Sequence, residues 1–348
     1  MIDNVLANMG KWTSLPSLII DILTNHLLLL HEDVQRKVTD SHVIGVAKSI
    51  TSRYAPEIIS KCNFSKHWAR YFRQKIGLVT PRGPNKKKNA NKASKTCSSN
   101  DSQVKFKATL RGIVRKKSFL SDLIFNIDYV KLSLTSGMKQ SSNENHITLV
   151  LGVSFKGQLL PLQVVFAGID ETCFPKFEFP KDWNVTYSKS SRPDSETMCT
   201  YIETILIPFM KNIKLNIKDK RGENSLLIID QDGAYQKKKF ANLLKDANIE
   251  RIDIPSHFTG SLQPLDQFIT GYFKTEFDEK YTEYYEKLTT DAMNKNATNV
   301  HENLPALQIS QVKELAMIWI TQIYSVLAKD TIKSKSSWDH LDIKCNKK

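Results

Sequence analysis

The sequence contains few cysteines and no cysteine pair of the kind that binds zinc. Its five cysteines are scattered without a Cys-x-x-Cys motif, which argues against a zinc ribbon and against a disulfide framework. An odd number of isolated cysteines favours a reducing compartment. The eight histidines also lack metal-ligand spacing. We therefore expect neither a structural zinc site nor a disulfide-stapled domain.

The sequence also lacks a long, uninterrupted apolar run. The longest apolar stretch, residues 15–30, contains Asp21, Asn25 and His26, and it is too short and too polar to span ~30 Å of hydrocarbon. We expect no membrane anchor and no signal peptide. Hydrophobic residues make up 41% and charged residues 25% of the 348 residues, which predicts a mostly folded protein of two or three units.

Acidic residues are almost absent from one segment of the chain. The net charge is +14, yet residues 81–120 alone carry 12 basic side chains against one acidic side chain, whereas residues 121–348 carry 28 and 29. The Ser, Asn and Lys content of residues 81–118 predicts a linker that buries almost nothing. Its positive charge favours a polyanionic partner over mere solvation, and it also fits a nuclear localisation signal. The candidate phosphate contacts are Lys86, Lys87, Lys88, Arg115, Lys116 and Lys117.

Residues 1–80 predict a small helical unit. Apolar residues recur at three- and four-residue spacings without a competing strand pattern. The last helix follows a potential cap at Asn63 or Ser65 and carries its aromatic residues on one face. Two interpretations stay open: the helix enters the major groove of DNA, or it packs in the core with solvated cations. Its position before the basic segment favours DNA, and its basic residues are Lys66, Arg70, Arg73 and Lys75.

After residue 120 the pattern changes to short strands that alternate with helices. Residues 146–155 and 159–168 predict two strands that pair as a hairpin. Residues 225–230 form a continuous apolar run that ends in a carboxylate, which is typical of a central strand buried on both faces. Helices are predicted over about 194–211 and 236–247. This alternation predicts an α/β layer.

Three aspartates stand on or beside these predicted elements. Asp128 lies on the first strand, Asp230 ends the buried strand, and Asp266 precedes an amphipathic helix. Converging carboxylates suit Mg²⁺ or Mn²⁺, and two such ions would activate a water or a 3′-hydroxyl for phosphodiester cleavage. Each aspartate taken alone is more typical of a turn or a cap. Local alternatives are Asp170, Asp232 and Asp253.

Several segments resemble one family of proteins. They are NID at 126–128, ITLVLGVSFKGQLLPLQVVFAG at 147–168, LLIID at 226–230 and SLQPLDQFITGYFK at 261–274. In order and spacing they resemble the pogo/Tigger/jerky-like branch of the DDE-superfamily transposases. The segment KHWARYFRQKIGL resembles the end of the centromere-protein-B-type helix-turn-helix region that precedes the catalytic domain there. The resemblance covers most of the chain.

The resemblance implies an α/β, RNase H-like catalytic domain over residues 119–290, in which a mixed sheet is flanked by helices. A small all-α helix-turn-helix DNA-binding region over 1–80 would precede it, and a helical tail over 291–348 would follow. It further implies that Asp128, Asp230 and Asp266 hold two Mg²⁺ or Mn²⁺ ions and cut transposon DNA. The implied partner is DNA, bound by a homodimer on transposon ends in the nucleus.

Two departures from the family pattern support an alternative function. The family usually carries Gln or Glu and then Thr after the first aspartate, where this chain has Tyr129 and Val130. The stretch between Asp128 and Ile147 also looks short, as though part of a second strand were missing, which would leave unpaired strand edges. The alternative is a catalytically inactive, transposon-derived DNA-binding protein. An interaction protein without nucleic-acid contact would leave the basic segment unexplained.

Overall fold

The computed structural model describes residues 15–32, 38, 40–78, 92–134, 146–216, 224–255, 258–295 and 309–345. Their contacts divide the chain into two units. The helical unit comprises Met1–Lys87, Thr135–Ser142 and Glu276–Val312. The sheet unit comprises Lys88–Leu134, Asn143–Thr275 and Lys313–Lys348.

The regular elements are numbered in chain order. The strands are β1 (Ile124–Ser133), β2 (His146–Ser154), β3 (Gln163–Ala167), β4 (Asn184–Ser188), β5 (Ser225–Ile229) and β6 (Ile249–Asp253). The helices are α1 (Ser17–Glu32), α2 (Asp40–Tyr54), α3 (Lys66–Lys75), α4 (Lys92–Lys117), α5 (Ser195–Tyr201), α6 (Ile207–Asn216), α7 (Lys238–Asp246), α8 (Thr259–Leu262), α9 (Pro264–Gln267), α10 (Ile269–Lys295), α11 (Ile309–Lys329) and α12 (Thr331–Ser336). A π-helical turn, Ile202–Leu206, joins α5 to α6.

The sheet unit contains one six-stranded mixed sheet in the order β4-β3-β2-β1-β5-β6. Strands β1, β2 and β3 are antiparallel neighbours, whereas β5 runs parallel to β1 and β6 runs parallel to β5. Strand β5 is buried along its whole length, as its continuous apolar run predicts. The prediction of an RNase H-like mixed sheet flanked by helices, preceded by a helical region, is confirmed.

Strand β1 pairs with β2 over all but its first residue. The register runs without a gap from Phe125 opposite Ser154 to Ser133 opposite His146. The prediction that part of a second strand is missing is therefore wrong. Strand β2 begins at His146 and satisfies the backbone of β1 on that side, so no unpaired edge is left next to Asp128.

The helical unit is built around α1, α2 and α3. Ser65 is the N-cap of α3, and its side chain accepts a hydrogen bond of 3.1 Å from the backbone N–H of Trp68. Phe72 on α3 is fully buried against α1 and α2 side chains such as Leu23 and Ile50. From residue 276 onward α10 also belongs to this unit: the Ser49 hydroxyl of α2 donates a 3.0 Å hydrogen bond to the Glu286 carbonyl.

Residues 92–117 differ from the linker that their composition predicts, because they form α4 within the sheet unit. Phe106, Leu110 and Val114 recur every four residues and are all buried, and burying each such side chain stabilises a fold by roughly 1.5–3 kcal/mol. These apolar residues anchor one face of the helix. The surrounding Lys and Ser residues dominate the composition and conceal this pattern.

Candidate active site

Asp128 and Asp230 lie level with each other on neighbouring strands. In the parallel register of β1 and β5, Asn126 is opposite Ile228. Both aspartates come two residues after these partners, and residues two apart on a strand share a face. Asp128 therefore lies beside Asp230, which follows the last residue of β5, on the same face of the sheet.

Asn126 ties the third aspartate's segment to these strands. Its side chain is fully buried, and its Nδ2 donates a 2.8 Å hydrogen bond to the Ile228 carbonyl. Its Oδ1 accepts a 3.0 Å hydrogen bond from the backbone N–H of Leu265, which immediately precedes Asp266 in α9. One buried amide therefore connects β1, β5 and α9, the elements that carry or adjoin the three aspartates.

The aspartate cluster, defined as Asp128, Asp230 and Asp266, is coupled electrostatically. Burial raises the pKa of Asp128 to about 7, and the negative charges of Asp266 and Asp230 contribute to this rise. A 2.7 Å hydrogen bond from the Tyr129 N–H to Asp128 Oδ1 opposes it by favouring the ionised carboxylate. The charges of Asp230 and Asp266 thus lie near enough to Asp128 to disfavour its ionised form, and a divalent cation would offset this repulsion.

Asp230 lies next to two of the local alternatives. Burial raises its pKa, a 3.2 Å hydrogen bond from the Asp232 N–H opposes this, and the charges of Asp232, Asp266 and Asp253 raise the pKa further. The third alternative, Asp170, lies elsewhere: it is exposed and caps a short 3₁₀ turn after β3. Asp170 therefore has no part in the aspartate cluster.

Tyr129 connects the residues on either side of the cluster. Its backbone N–H holds Asp128, while its hydroxyl donates a 2.9 Å hydrogen bond to Asp232 Oδ2. The same oxygen accepts a 2.6 Å bond from Arg192 Nη2. Burial and this contact with Asp232 raise the pKa of Tyr129 to about 12. Since the Asp232 N–H holds Asp230, Tyr129 and Asp232 form a chain of hydrogen bonds from Asp128 to Asp230.

Two buried polar side chains near the cluster lack a hydrogen-bond partner among the described residues. Neither polar atom of the Gln263 amide has a partner at full hydrogen-bond geometry, although the amide faces Asp128 and lowers the pKa of that carboxyl by a weak hydrogen-bonding interaction. The Tyr235 hydroxyl is also unpaired, and burial, followed by the charges of Asp128 and Asp230, raises its pKa well above its usual value. Orphaned buried polar groups beside carboxylates are typical of a ligand site.

The cluster is not a closed metal cage. Within the described ranges, no group of three or more His, Cys, Asp or Glu side chains is close enough together to hold a metal ion. The chemistry of the donors nevertheless fits a hard divalent cation, because carboxylate and amide oxygens are its preferred ligands. Asp128, Asp230, Asp266 and the unpaired Gln263 amide supply such oxygens.

The predicted DNA-contacting residues of α3 differ in how far they are available. Arg73 is mostly buried and pairs with Asp40 at 2.6 Å. Arg70 exposes 66% of its side chain and reaches the same carboxylate at 3.4 Å. Lys66 is also exposed and pairs with Asp278 at 2.8 Å. Arg73 is thus committed to the helical unit, whereas Arg70 and Lys66 face solvent.

Four further predicted DNA contacts lie at the ends of α3 and α4. The Lys75 ammonium lies over the ring of Tyr71, 5.4 Å from its centroid. Arg115 and Lys116 are exposed, and Lys117 pairs with Glu250 at 2.5 Å. The other predicted contacts, Lys86, Lys87 and Lys88, lie outside the described residues.

A family model decides the assignment of this fold. The model described as "DDE superfamily endonuclease" matches residues 144–324, just over half of the chain. The chain belongs to the DDE endonuclease superfamily. The matched stretch includes Asp230 and Asp266 but begins after Asp128. The place of Asp128 in this DDE endonuclease chain therefore rests on the strand register and on its electrostatic coupling to the other two aspartates.

Solved structures of one transposase are similar to this DDE endonuclease chain. The catalytic domain of Mos1 transposase with raltegravir and Mn is 7% identical, with 66% of this chain and 92% of that chain covered and a TM-score of 0.32. The Mos1 paired-end complex with the left transposon end is 10% identical, with 90% and 78% covered and a TM-score of 0.32. Identities this low give no residue-by-residue correspondence.

One curated relative shares a shorter stretch. It is the "MFS-type transporter clz9" of Cochliobolus lunatus, which is 28% identical over 128 residues, 36% of this chain and 13% of that protein. The chain thus spans about 13% of that relative's length. In the part of the DDE endonuclease chain that the structure describes, no helix has the length and apolar character needed to cross a membrane.

Sequence reasoning did not single out Asn126, Gln263 or Arg192 as site residues. A signal existed for Asn126: it is a polar residue inside a buried apolar strand, two positions before Asp128 and hence on the same face. Gln263 stands three residues before Asp266 in the most specific motif of the chain. Arg192 gave no signal, because its contact with Asp232 depends on the path of the loop after β4.

Proposed function

We propose that this DDE endonuclease chain is a transposase-type enzyme that cleaves and transfers DNA strands with divalent cations. The observation that supports this most directly is the electrostatic coupling of Asp128, Asp230 and Asp266, which come from three separate segments. These carboxylates would hold Mg²⁺ or Mn²⁺. When bound, the ions would activate a water or a 3′-hydroxyl and stabilise the leaving oxygen of the phosphodiester.

The surrounding residues position these carboxylates. Asn126 docks the Leu265 backbone onto β1 and β5, so that Asp266 stays beside the strand-borne acids. The Tyr129 and Asp232 backbone N–H groups orient one oxygen each of Asp128 and Asp230. Such fixed hydrogen bonds hold a site close to its productive geometry.

The finer assignment belongs to the same proposal. It places the chain in the pogo/Tigger/jerky-like branch, with a centromere-protein-B-type helix-turn-helix region, and it gives the protein DNA as partner, a homodimer on transposon ends and a nuclear location. The quoted motifs and the basic segment over residues 81–120 support it.

The test is cleavage of supercoiled plasmid DNA by the purified full chain with Mg²⁺ or Mn²⁺. We expect nicking by the wild type and its loss, by about a thousandfold or more, in Asp128→Asn, Asp230→Asn and Asp266→Asn. The matched control is Asp170→Asn, because Asp170 is an exposed aspartate outside the cluster, and this variant should nick like the wild type. Nicking that persists in both Asp230→Asn and Asp266→Asn would reject the proposed site.

A second candidate function is DNA binding without catalysis. It is favoured by the finding that no ready-made metal-binding group exists among the described residues. Under this alternative the wild type binds plasmid DNA but fails to nick it, and calorimetry with Mn²⁺ gives the same heat for the wild type as for the Asp230→Asn variant. A Mn²⁺ heat that disappears in Asp230→Asn would instead support the enzyme.

A further inference from the structure

The sheet unit contains a cationic pocket that is separate from the aspartate cluster. The pocket has a volume of about 150 Å³ and is lined by Arg111, Arg115, Asp342 and Lys344. Three cations against one acid give it a net positive charge. Arg111, Asp342 and Lys344 are not among the DNA contacts that the sequence predicts, and the proposed catalytic chemistry leaves all four residues unused.

Both walls of this pocket are anchored. Arg111 and Arg115 are four residues apart on α4 and therefore share a face of the helix, and Leu110 and Val114 beside them are buried. The opposite wall comes after α12. There Leu341 and Ile343 are buried, while Asp342 and Lys344 alternate with them and are exposed. The four charged side chains are thus held on fixed backbone.

Asp342 already places a carboxylate next to a pocket cation. Its Oδ2 pairs with Arg111 Nη1 at 2.8 Å. Its backbone adopts the left-handed conformation, with φ 51° and ψ 43°, stabilised by a 3.1 Å hydrogen bond from its N–H to the Asp339 carbonyl. Among residues other than glycine, Asp and Asn adopt this conformation most readily. The pocket therefore holds one anionic group from the chain itself.

We propose that the pocket binds a backbone phosphate of duplex DNA, which displaces Asp342 from Arg111. Guanidinium groups bind phosphate oxygens through paired hydrogen bonds, and Lys344 adds a point charge. The inference rests on the proposed function only in taking DNA as the partner. It deepens that proposal by assigning a contact point outside the aspartate cluster and by giving Asp342 the role of a competing anion.

The course of α4 favours DNA over a small anion. Lys107 lies one turn before Arg111, and the exposed Lys116 directly follows Arg115, so that cations continue along the helix beyond the pocket. Near its middle α4 contacts the segment that leads to Asp266, because Gln103 Nε2 donates a 3.3 Å hydrogen bond to Ser261 Oγ. Eight residues of helix, roughly 12 Å, separate Gln103 from Arg111. A linear polyanion could therefore contact the pocket and the approach to the aspartate cluster together.

The test measures binding of a labelled 25-base-pair random-sequence duplex to the full chain in EDTA, across a series of salt concentrations. In the double variant R111Q/R115Q we expect the log–log salt slope to fall by about one unit and the affinity to fall roughly tenfold, as for one lost phosphate contact. D342N should bind roughly two- to fivefold more tightly, because Asn keeps the left-handed backbone and removes the competing charge. The control K176Q/K181Q removes two exposed cations elsewhere on the sheet unit and should match the wild type.

We expect weaker DNA binding in R111Q/R115Q and tighter DNA binding in D342N. The inference is therefore distinguishable from simple unfolding, which would weaken binding in both variants. It is overturned if D342N weakens or leaves binding unchanged, if R111Q/R115Q behaves like K176Q/K181Q, or if the wild type does not bind the duplex. An unchanged slope in R111Q/R115Q together with its loss of inorganic phosphate binding would assign the pocket to small anions and also overturn it. Binding is measured in EDTA, which removes metal, so a negative result in the nicking test does not change the interpretation of the binding test. A negative result in the binding test likewise leaves the nicking test interpretable.

Discussion

The aspartate cluster and helix α3 use charge in opposite ways. In the cluster, burial raises the pKa of Asp128 and of Asp230, and the negative charge of Asp266 raises both further. In α3, by contrast, Arg73 lies against the opposite charge of Asp40 at 2.6 Å. A folded chain gains stability from the second arrangement and loses it in the first. Like charges that are held together against their repulsion indicate a ligand, whereas paired charges indicate packing.

This contrast changes how the basic helices are interpreted. The sequence favours α3 as a DNA-contacting helix, yet its most buried cation is neutralised within the helical unit. Composition predicts α4 as part of a linker, yet Arg115 and Lys116 on this helix are exposed. Arg111 pairs with Asp342, but the pocket that contains this pair has more positive than negative side chains. Burial and pairing, rather than the number of basic residues, decide which cations are available to phosphate.

The largest change in stability is expected from removing the charge of Asp128 inside the aspartate cluster. Below its pKa of about 7 Asp128 is neutral in the folded protein, whereas an unfolded Asp ionises near pH 3.9. The folded state therefore binds more protons between these values, and stability falls as the pH rises from about 4 to about 7. The total loss of unfolding free energy over this pH range is on the order of 4 kcal/mol. Asp128→Asn should thus raise the metal-free melting temperature at pH 8 and change it little at pH 3.5, measured by scanning calorimetry.

The exposed Asp170 provides the control for this pH dependence. Two hydrogen bonds from Thr172 lower the pKa of Asp170 in its 3₁₀ cap, so Asp170→Asn should not stabilise the protein at any pH. Equal melting temperatures of the wild type and Asp128→Asn at pH 8 would show that neither burial nor the neighbouring carboxylates disfavour the ionised form of Asp128. The contrast between the cluster and α3 would then fail.

The second effect concerns the amide that holds the cluster together. Asn126→Ala leaves the Leu265 N–H and a carbonyl of β5 without their buried partner, which costs about 3 kcal/mol in the free energy of unfolding. The loss of stability is measured by urea titration. Because α9 is no longer fixed, nicking should also be lost, as measured by plasmid cleavage. Asn216→Ala, at the exposed end of α6, should alter neither. Full nicking by Asn126→Ala would show that Asp266 keeps its position without the hydrogen bonds of Asn126.

The sequence predicts those features that depend on local pattern. The apolar run before Asp230 predicts a buried strand, the hairpin residues predict β2 and β3, and Ser65 is recognised as one of two possible caps for α3. Each signal involves residues close together in the chain. Strand β4 is not predicted, because Asn184–Ser188 is short and only partly buried, so that Val185 and Tyr187 alone carry its alternating pattern.

The parts that escape prediction depend on partners distant in sequence. The bond between Asn126 and Leu265 joins residues 139 positions apart, and Arg192 meets Asp232 across 40 positions. Neither pair leaves a periodic signal. The docking of α4 escapes for a different reason: the few apolar residues that anchor it are outnumbered by Lys and Ser, so that composition describes the exposed face and not the buried one.

The smallest changes in stability are expected for the ion pairs that α3 makes with Asp40. Arg73→Gln removes a mostly buried cation from Asp40 and should cost about 1–2 kcal/mol of unfolding free energy, because both side chains of this pair are largely shielded. Arg70→Gln should stay within about 0.5 kcal/mol, since an exposed pair at longer distance adds little. If α3 also enters a DNA groove, Arg70→Gln alters sequence preference without altering stability. Equal stability losses for the two variants, in urea titrations of the full chain, would show that pairing with Asp40 does not depend on burial.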